Sequence, residues 1–246
     1  MNNPLRADLP PISEIWVYLS GSPLLALVLT LSAYWLGLTL YERSQRNPLA
    51  NPVLIAVVVV CLSIGVLDMP YAKYFEGAQF VHFLLGTATV SLAIPIYKGF
   101  ASLKGRMGVL LLSLVAGGMT SVFTAVGVAR WLGVDESLVR GLVAKSVTAP
   151  IAMGIAERVQ ASPTLTAIFA VSTGILGAVL GRYVLDALRI TAWWQRGFAL
   201  GVAAHGIGTS RAFSVNAEAG AYASLGMGLH GIAGAVLIPQ AVAWWF

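Results

Sequence analysis

The stretch MGVLLLSLVAGGMTSVFTAVGVARW, residues 107–131, decides the fold class of this chain. It carries no charge before Arg130, and about 20 consecutive apolar residues suffice for a helix to cross the hydrocarbon core of a bilayer. Comparable apolar runs occupy residues 23–41, 52–68, 164–188 and 222–246. The sequence therefore predicts an all-α integral membrane protein that crosses the bilayer several times.

The overall composition supports this prediction. Hydrophobic residues make up 58% of the chain and charged residues only 10%, whereas a soluble domain is about 45–50% apolar and about 25% charged. No long polar stretch could form a second domain, so we expect one membrane domain over residues 23–246 behind an N-terminal extension of residues 1–22. That extension contains Asp8 and Glu14, which a cleaved signal peptide would lack.

The net charge of +5 is spread over short connections between apolar runs. This distribution is typical of the positive-inside rule and argues against nucleic-acid binding. Basic clusters lie at residues 42–49, 98–106 and 181–196. They share one side of the membrane only if the interrupted stretch at residues 138–157 does not fully cross, so we expect this stretch to be re-entrant or half of a broken pair.

An internal repeat accompanies the interrupted stretches. The motif GILGAVL at residues 174–180 returns as GIAGAVL at residues 231–237, and a polar interruption lies upstream of each copy. A weaker third copy aligns Gly86 and Pro95 with Gly141 and Pro150. Small-residue membrane helices can resemble each other by composition alone, but the pattern favours an inverted repeat, the usual architecture of secondary transporters. We expect six to eight helical crossings in total.

The first interruption contains Lys145, Ser146, Thr148 and Pro150. A lysine inside a membrane segment costs about 2.5–3.5 kcal/mol on insertion scales, and proline removes a helical donor. Unwound backbone at membrane depth is tolerated mainly where it lines a cavity, so we expect these residues to form part of a binding site. The alternative is a kinked structural helix in which Lys145 bonds a neighbouring carbonyl.

The second interruption places His205, Gly206, Gly208, Thr209 and Arg211 within seven residues. Glycines permit close backbone approach and unusual dihedral angles, the guanidinium fork suits a carboxylate or phosphate, and histidine titrates near neutral pH. The alternative is a loop at a helix end with an interfacial arginine.

A third stretch, at residues 80–98, is less informative. The hydroxyls of Thr87 and Thr89 either line the same substrate path as the two interruptions or form hydrogen bonds to the backbone of their own helix.

The signs of the embedded charges indicate a ligand class. Lys145 and Arg211 are both cationic, which favours a small anionic substrate and above all a carboxylate. No hydrolase motif is present, and the three histidines show no metal-ligand spacing. We therefore expect a protein that is not an enzyme and that needs no metal or cofactor.

At these residues the sequence resembles the LrgB/CidB family. The resemblance covers about residues 48–240 and rests on FLLGTATV at 83–90, KSVTAPIAM at 145–153, TGILGAVLG at 173–181 and HGIGTSRA at 205–212. The family more often has threonine and alanine where this chain has Ala149 and Ser210, which are small departures.

The resemblance implies two functions of different kinds. One is a carrier of C2–C3 carboxylates such as glycolate, glycerate or pyruvate in the bacterial inner membrane, similar to the plant plastidial glycolate/glycerate transporter. The other is an antiholin-like or holin-like regulator of murein hydrolase activity and cell lysis, acting with an LrgA/CidA-type membrane partner. The embedded cations favour the carrier, while the substrate, the coupling ion and homo-oligomerisation stay open.

Overall fold

A computed structural model describes residues 23–91, Ile94, Tyr97 and residues 105–245; the side chains at positions 82, 85, 86, 88 and 89 lie outside the description. The N-terminal extension of residues 1–22 and the Pro95 part of the third repeat copy also lie outside it. The described chain is helical, and it divides into two compact units at Thr89 and Val90. The assignment of one domain to residues 23–246 stays a prediction.

Nine α-helices are described. The first unit holds α1 (Pro23–Arg43), α2 (Pro52–Val66) and α3 (Tyr71–Ser91), and the second holds α4 (Met107–Trp131), α5 (Glu136–Leu142), α6 (Ala149–Arg158), α7 (Pro163–Ala187), α8 (Trp193–Val215) and α9 (Ala217–Trp245). Helices α1, α4, α7 and α9 are long and apolar enough to cross a membrane, which confirms the polytopic fold class. The predicted total of six to eight crossings stays a prediction.

Two predicted boundaries differ from the structure. Helix α3 begins at Tyr71 rather than at residue 80, and it carries Tyr71, Tyr74 and Phe75 on helical backbone. Helix α9 begins at Ala217 rather than at residue 222, and Glu218 lies in its first turn. An acidic side chain is favourable at the positive end of a helix, so charge extends this helix beyond its most apolar part.

The first unit is held by close backbone approach. Gly77 of α3 lies against the Pro23 carbonyl at the start of α1, and a Cβ atom at Gly37 would fall 2.6 Å from the carbonyl oxygen of Pro52. The Thr30 and Tyr74 hydroxyls form a hydrogen bond of 2.8 Å between α1 and α3. Small residues at such crossings let membrane helices pack closely without a hydrophobic driving force.

Polar clusters mark the two ends of the second unit. At one end, Arg130 of α4 contacts Glu136 of α5 at 2.7 Å and donates to the Trp245 carbonyl of α9 at 3.4 Å. At the other end, the Arg106 guanidinium donates to the Tyr222 hydroxyl at 3.1 Å and lies 4.9 Å from the Trp194 ring centre. Helices α4 and α9 therefore run between the same two ends in the same direction.

The glycine contacts of the second unit fix the direction of its helices. Gly181 and Gly177 of α7 face Leu200 and Ala204 of α8, so these segments run antiparallel. Further along, a Cβ atom at Gly197 or Gly201 of α8 would overlap the Ala219 or Ala223 carbonyl of α9, respectively. The first part of α8 thus runs parallel to α9, and α7 and α9 cross in opposite senses, which confirms the predicted inverted repeat.

Substitution of Gly201 by alanine tests the α8–α9 contact. The added Cβ overlaps backbone rather than a flexible side chain, and overpacking of this kind costs about 1–3 kcal/mol. We expect the melting temperature of the solubilised protein to fall by roughly 2–12 °C for a chain of this size. Gly127→Ala in α4 is the matched control, since nothing lies within 4 Å of its added Cβ, and an equal loss there would contradict the packing account.

Candidate functional site

The first interruption is a true break in the helix. Helix α5 ends at Leu142, the chain turns tightly, and Thr148 is extended (φ −60°, ψ 144°) before α6 begins at Ala149. The backbone of the turn is satisfied by short-range bonds, from the Lys145 amide to Leu142 and from the Val147 amide to Ala144, both at 3.2 Å. Pro150 lies in the first turn of α6, so one helix ends and another begins within this interruption.

The side chains of this break reach two neighbouring helices. Lys145 Nζ donates to Ser121 Oγ on α4 at 2.8 Å, so the lysine bonds a hydroxyl instead of a backbone carbonyl. Ser146 Oγ lies 3.0 Å from His230 Nε2 on α9. The buried Thr148 hydroxyl has no hydrogen-bond partner among the described residues, and Pro150 is exposed. Within the described residues, neither Ser146 nor Thr148 uses its hydroxyl to bond the broken backbone.

The second interruption breaks α8 at a single residue. His205 has φ 39° and ψ −130°, a conformation that costs a side-chain-bearing residue about 1–3 kcal/mol. Its ring nitrogen Nε2 lies 2.8 Å from the Ala170 carbonyl oxygen of α7, and Thr209 Oγ1 donates to the His205 carbonyl at 2.7 Å. The expectation that the glycines supply the unusual dihedral was wrong, since tertiary contacts hold the histidine in it.

The two predicted glycines serve different purposes. A Cβ atom at Gly208 would fall 2.7 Å from the Leu200 carbonyl oxygen, so the chain turns back sharply enough at His205 to bring these residues together. Gly206 has open space, with the Met227 sulfur 4.0 Å from its built Cβ. Of the two, only Gly206 leaves backbone accessible to a small ligand.

Each copy of the glycine motif packs against the break of the other repeat. The register of the motif pairs Gly177 with Gly234 and Ala204 with Val147. Gly177 faces Ala204, with 2.5 Å between the built Cβ and the Ala204 Cβ, while Gly234 faces Val147 Cγ1 at 2.8 Å. The same contact is thus made twice with the partners exchanged, as a pseudo-twofold axis requires.

The next glycine of each motif also lies against the opposite break, although the residues it contacts, His205 and Ile151, are not counterparts in the register of the motif. Gly174 accommodates the His205 ring, because a Cβ there would fall 2.7 Å from Cε1 and 3.0 Å from Nε2. Gly231, its counterpart, lies against Ile151 in the first turn of α6, at 2.9 Å from the built Cβ to Cδ1. Both breaks are therefore buttressed by glycines of the opposite repeat.

His230 of α9 contacts the first break, although sequence reasoning assigned it only a packing role. Its Nε2 atom lies 3.0 Å from Ser146 Oγ. Ser121 was also missed. For His230, one feature of the sequence could have indicated a role in the site. A polar residue stands directly before each copy of the motif, Thr173 in the first and His230 in the second.

The remaining predicted residues lie less centrally. Arg211 is buried on the second part of α8, and the contacts of Lys145 do not include it. Thr87 is exposed and donates to the Leu84 carbonyl of its own helix at 2.8 Å, while the Thr89 side chain lies outside the described residues. Within the described ranges, no three histidine, cysteine, aspartate or glutamate side chains group as a metal site.

The chemistry of this arrangement is that of a small polar site between two breaks. It offers one ammonium group, two imidazoles and the hydroxyls of Ser121, Ser146 and Thr148 within apolar helices. Such a set suits an anion with few atoms, because the donors are few and close together.

Comparison with known proteins establishes the family. The profile described as the LrgB-like family matches residues 30–244. The chain belongs to the LrgB-like family. It is 34% identical over 83% of its length to the uncharacterized protein YwbG of Bacillus subtilis, covering 90% of that protein.

Other relatives carry a functional name. The chain is 28% identical over 88% of its length to holin-like protein CidB of Staphylococcus aureus, covering 94% of it, and 30% identical over 91% to YxaC of Bacillus subtilis, covering 96% of it. No solved structure matches the chain.

Substitutions of His205 test the strained break. In an ordinary helix alanine is about 1 kcal/mol more stable than glycine. At position 205 we expect the reverse order, with His205→Gly melting above His205→Ala, because only glycine adopts this backbone conformation without strain.

Ala203, exposed on the same helix two residues earlier, supplies the control. Ala203→Gly should follow the ordinary order and lower the melting temperature of the solubilised protein. An Ala-above-Gly order at position 205 as well would show that the break carries no backbone strain.

Proposed function

We propose that this LrgB-like protein carries small organic anions of the C2–C3 carboxylate class across the bacterial inner membrane, without enzymatic activity. The supporting observation is the pair of breaks, each lying against the glycine motif of the opposite repeat, with His230 of α9 bonded to Ser146 of the first break. A passive structural bundle would not need unwound backbone, a half-buried lysine and two buried histidines.

The charges of the site favour an anion. Lys145 has a hydroxyl partner rather than a carboxylate, so its charge is not neutralised by an ion pair with any described residue. A ligand carboxylate that displaces the Ser121 hydroxyl would gain a charge-assisted hydrogen bond in surroundings of low dielectric. Arg211, buried on the second break-containing helix, is the second cation that we assign to the substrate.

The roles of the other residues follow from their contacts. Ser146, Thr148 and Thr209 would donate hydroxyl hydrogen bonds, Pro150 would fix the start of α6, and Gly206 would let the ligand approach the backbone, whereas Gly208 is taken by packing. Thr87 and Thr89 are the least supported members of the predicted set. His205 is fixed at the second break by its contact with the Ala170 carbonyl, and we predict that it carries a coupled proton.

The exchange of contacts between repeats suggests how access would alternate. In one state the first glycine motif would keep its contacts with the opposite break and the second would lose them. In the other state the reverse would hold, so the pseudo-twofold axis relates the two states. Each state would open the site toward a different end of the second unit, as in transporters built from inverted repeats.

A second candidate function is a holin-like regulator of murein hydrolase activity and lysis, acting with an LrgA/CidA-type membrane partner. The holin-like name of the Staphylococcus aureus relatives favours this candidate more directly than it favours the carrier. The geometry favours the carrier, because a lytic pore would not need paired breaks and a half-buried lysine at one of them. Assembly with a partner or with further copies of the chain is compatible with both candidates.

Counterflow uptake in proteoliposomes tests the carrier. We expect glycolate, glycerate or pyruvate to exchange across the bilayer, and we expect Lys145→Ala or Arg211→Ala to lower the rate at least tenfold, as removal of a charged hydrogen bond worth about 1.5–3 kcal/mol predicts. Arg158→Ala and Lys73→Ala, both at exposed cations, are the matched controls and should transport normally.

The same vesicles separate the two candidates. If a trapped dye much larger than pyruvate escapes through the wild-type protein, the pore is supported and the carrier fails. Uptake that neither core substitution changes would keep a carrier but remove these residues from its site.

A further inference from the structure

The side chain of Lys145 is held by a neutral hydroxyl from outside both breaks. Its Nζ atom donates to Ser121 Oγ of α4 at 2.8 Å. Of the ion pairs within the described ranges, none includes Lys145. A hydroxyl oxygen accepts a hydrogen bond from the ammonium group without neutralising it. The positive charge of this half-buried lysine therefore stays available to an anion.

The position of Ser121 is fixed by the packing of α4 against α9. Ser121 follows Gly118 by three residues, so the two lie on one face of the helix. At Gly118 this face meets His230 of α9, because a Cβ atom there would fall 3.0 Å from Cε1 of the ring. His230 in turn lies 3.0 Å from Ser146. The consecutive residues Lys145 and Ser146 thus contact α4 and α9, respectively, which anchors the first break on both helices.

The ammonium group can leave Ser121 while the backbone of the break stays in place. The Lys145 amide donates to the Leu142 carbonyl at 3.2 Å, and the neighbouring Ser146 is buried against α9. The lysine side chain, by contrast, is a flexible four-carbon stem with a compact charge at its tip. Rotation of this one side chain is therefore enough to transfer the ammonium from Ser121 to a ligand at the break.

The chemistry of position 121 decides how strongly the ammonium is held in the empty site. A carboxylate there would form an ion pair with Lys145 and would compete strongly with a ligand carboxylate. A methyl group would leave the ammonium without this acceptor, so a bound anion would be released slowly. The hydroxyl lies between these extremes, because it satisfies the ammonium and is weaker than a charged partner.

We propose that Ser121 sets the anion affinity of the site by occupying Lys145 while the site is empty. This role rests on the proposed function, and it makes Ser121 a positioning residue that acts through Lys145. The ligand carboxylate takes the place of the hydroxyl on binding, and the hydroxyl recovers the ammonium when the ligand leaves. The ammonium is hydrogen-bonded in both states, so neither state is trapped.

Ser121→Ala tests this role through two measurements. One is the half-saturating pyruvate concentration of counterflow exchange in proteoliposomes, and the other is the pyruvate concentration that gives half of the maximal thermal stabilisation of the solubilised protein. We expect both concentrations to fall about tenfold, as removal of one competing hydrogen bond to a charged group predicts. The maximal exchange rate should also fall, because the anion leaves more slowly. Damage to the fold would weaken binding instead of tightening it.

Three further variants control for structure. Thr124 lies one turn further along α4, and its exposed hydroxyl donates to the Thr120 carbonyl at 2.6 Å. Thr124→Ala is therefore the matched loss of a hydroxyl and should leave both concentrations unchanged. Ser121→Thr keeps the acceptor and should bind pyruvate like the wild type. Ser121→Asp should abolish pyruvate binding and exchange without lowering the melting temperature, since the new carboxylate pairs with Lys145.

A double substitution shows whether Ser121 acts through the lysine. In a Lys145→Met background no ammonium is left to compete for, so the addition of Ser121→Ala should leave the half-stabilising pyruvate concentration unchanged. A further tightening of pyruvate binding in that background would show that Ser121 acts on something else, and the proposed role would be wrong.

The outcomes separate this role from the carrier. Unchanged or weaker pyruvate binding in Ser121→Ala, with exchange by the wild type intact, overturns the role and leaves the carrier standing. Tighter binding in Ser121→Ala without exchange by any of these proteins upholds the role and refutes the carrier. A wild type that neither binds nor exchanges pyruvate refutes both. If Ser121→Ala does not fold, equal pyruvate binding by Ser121→Asp and Ser121→Thr overturns the role, and loss in Ser121→Asp alone upholds it.

Discussion

Backbone polar groups that leave a helix inside hydrocarbon must find partners within the protein, and both breaks of this chain meet that constraint in the same way. Tight turns and the Thr209 hydroxyl satisfy the freed groups, while the glycines of the opposite repeat leave room for the broken segment. Gly174 and Gly177 of one motif correspond to Gly231 and Gly234 of the other, because each motif must leave room for the broken segment of the opposite repeat. The candidate site therefore depends on both sets of contacts, in which each glycine motif packs against the break of the opposite repeat.

Much of this arrangement could be predicted from the sequence, because its signals are local. Lysine and proline in an apolar run indicate a break, and the repeated motif indicates two halves. The partners of the break could not be predicted. Ser121 and His230 lie far from Lys145 in the chain, and a serine or a histidine on an apolar helix usually packs without function. The dihedral of His205 was also inaccessible, since it is imposed by the Ala170 carbonyl and by the space at Gly174.

The family and the geometry bear on different levels of function. Membership of the LrgB-like family and the holin-like name of the Staphylococcus aureus relatives concern what such proteins do to a cell. The half-buried Lys145 and the buried His205 and His230 concern what this chain can bind. A change in the flux of a small carboxylate could alter lysis without any pore, so the two descriptions would coexist if the carrier were demonstrated.

The central claim is that α8 turns back at His205 instead of crossing, so that α7 and α9 begin at opposite faces. Cysteines placed singly at Ser162, Thr191 and Asn216, in a chain with Cys61 replaced by alanine, would report this through an impermeant thiol reagent in sealed vesicles. The account predicts that positions 191 and 216 react from one side and position 162 from the other. Reaction of position 216 from the same side as position 162 would mean that α8 crosses fully, and the inverted repeat would be contradicted.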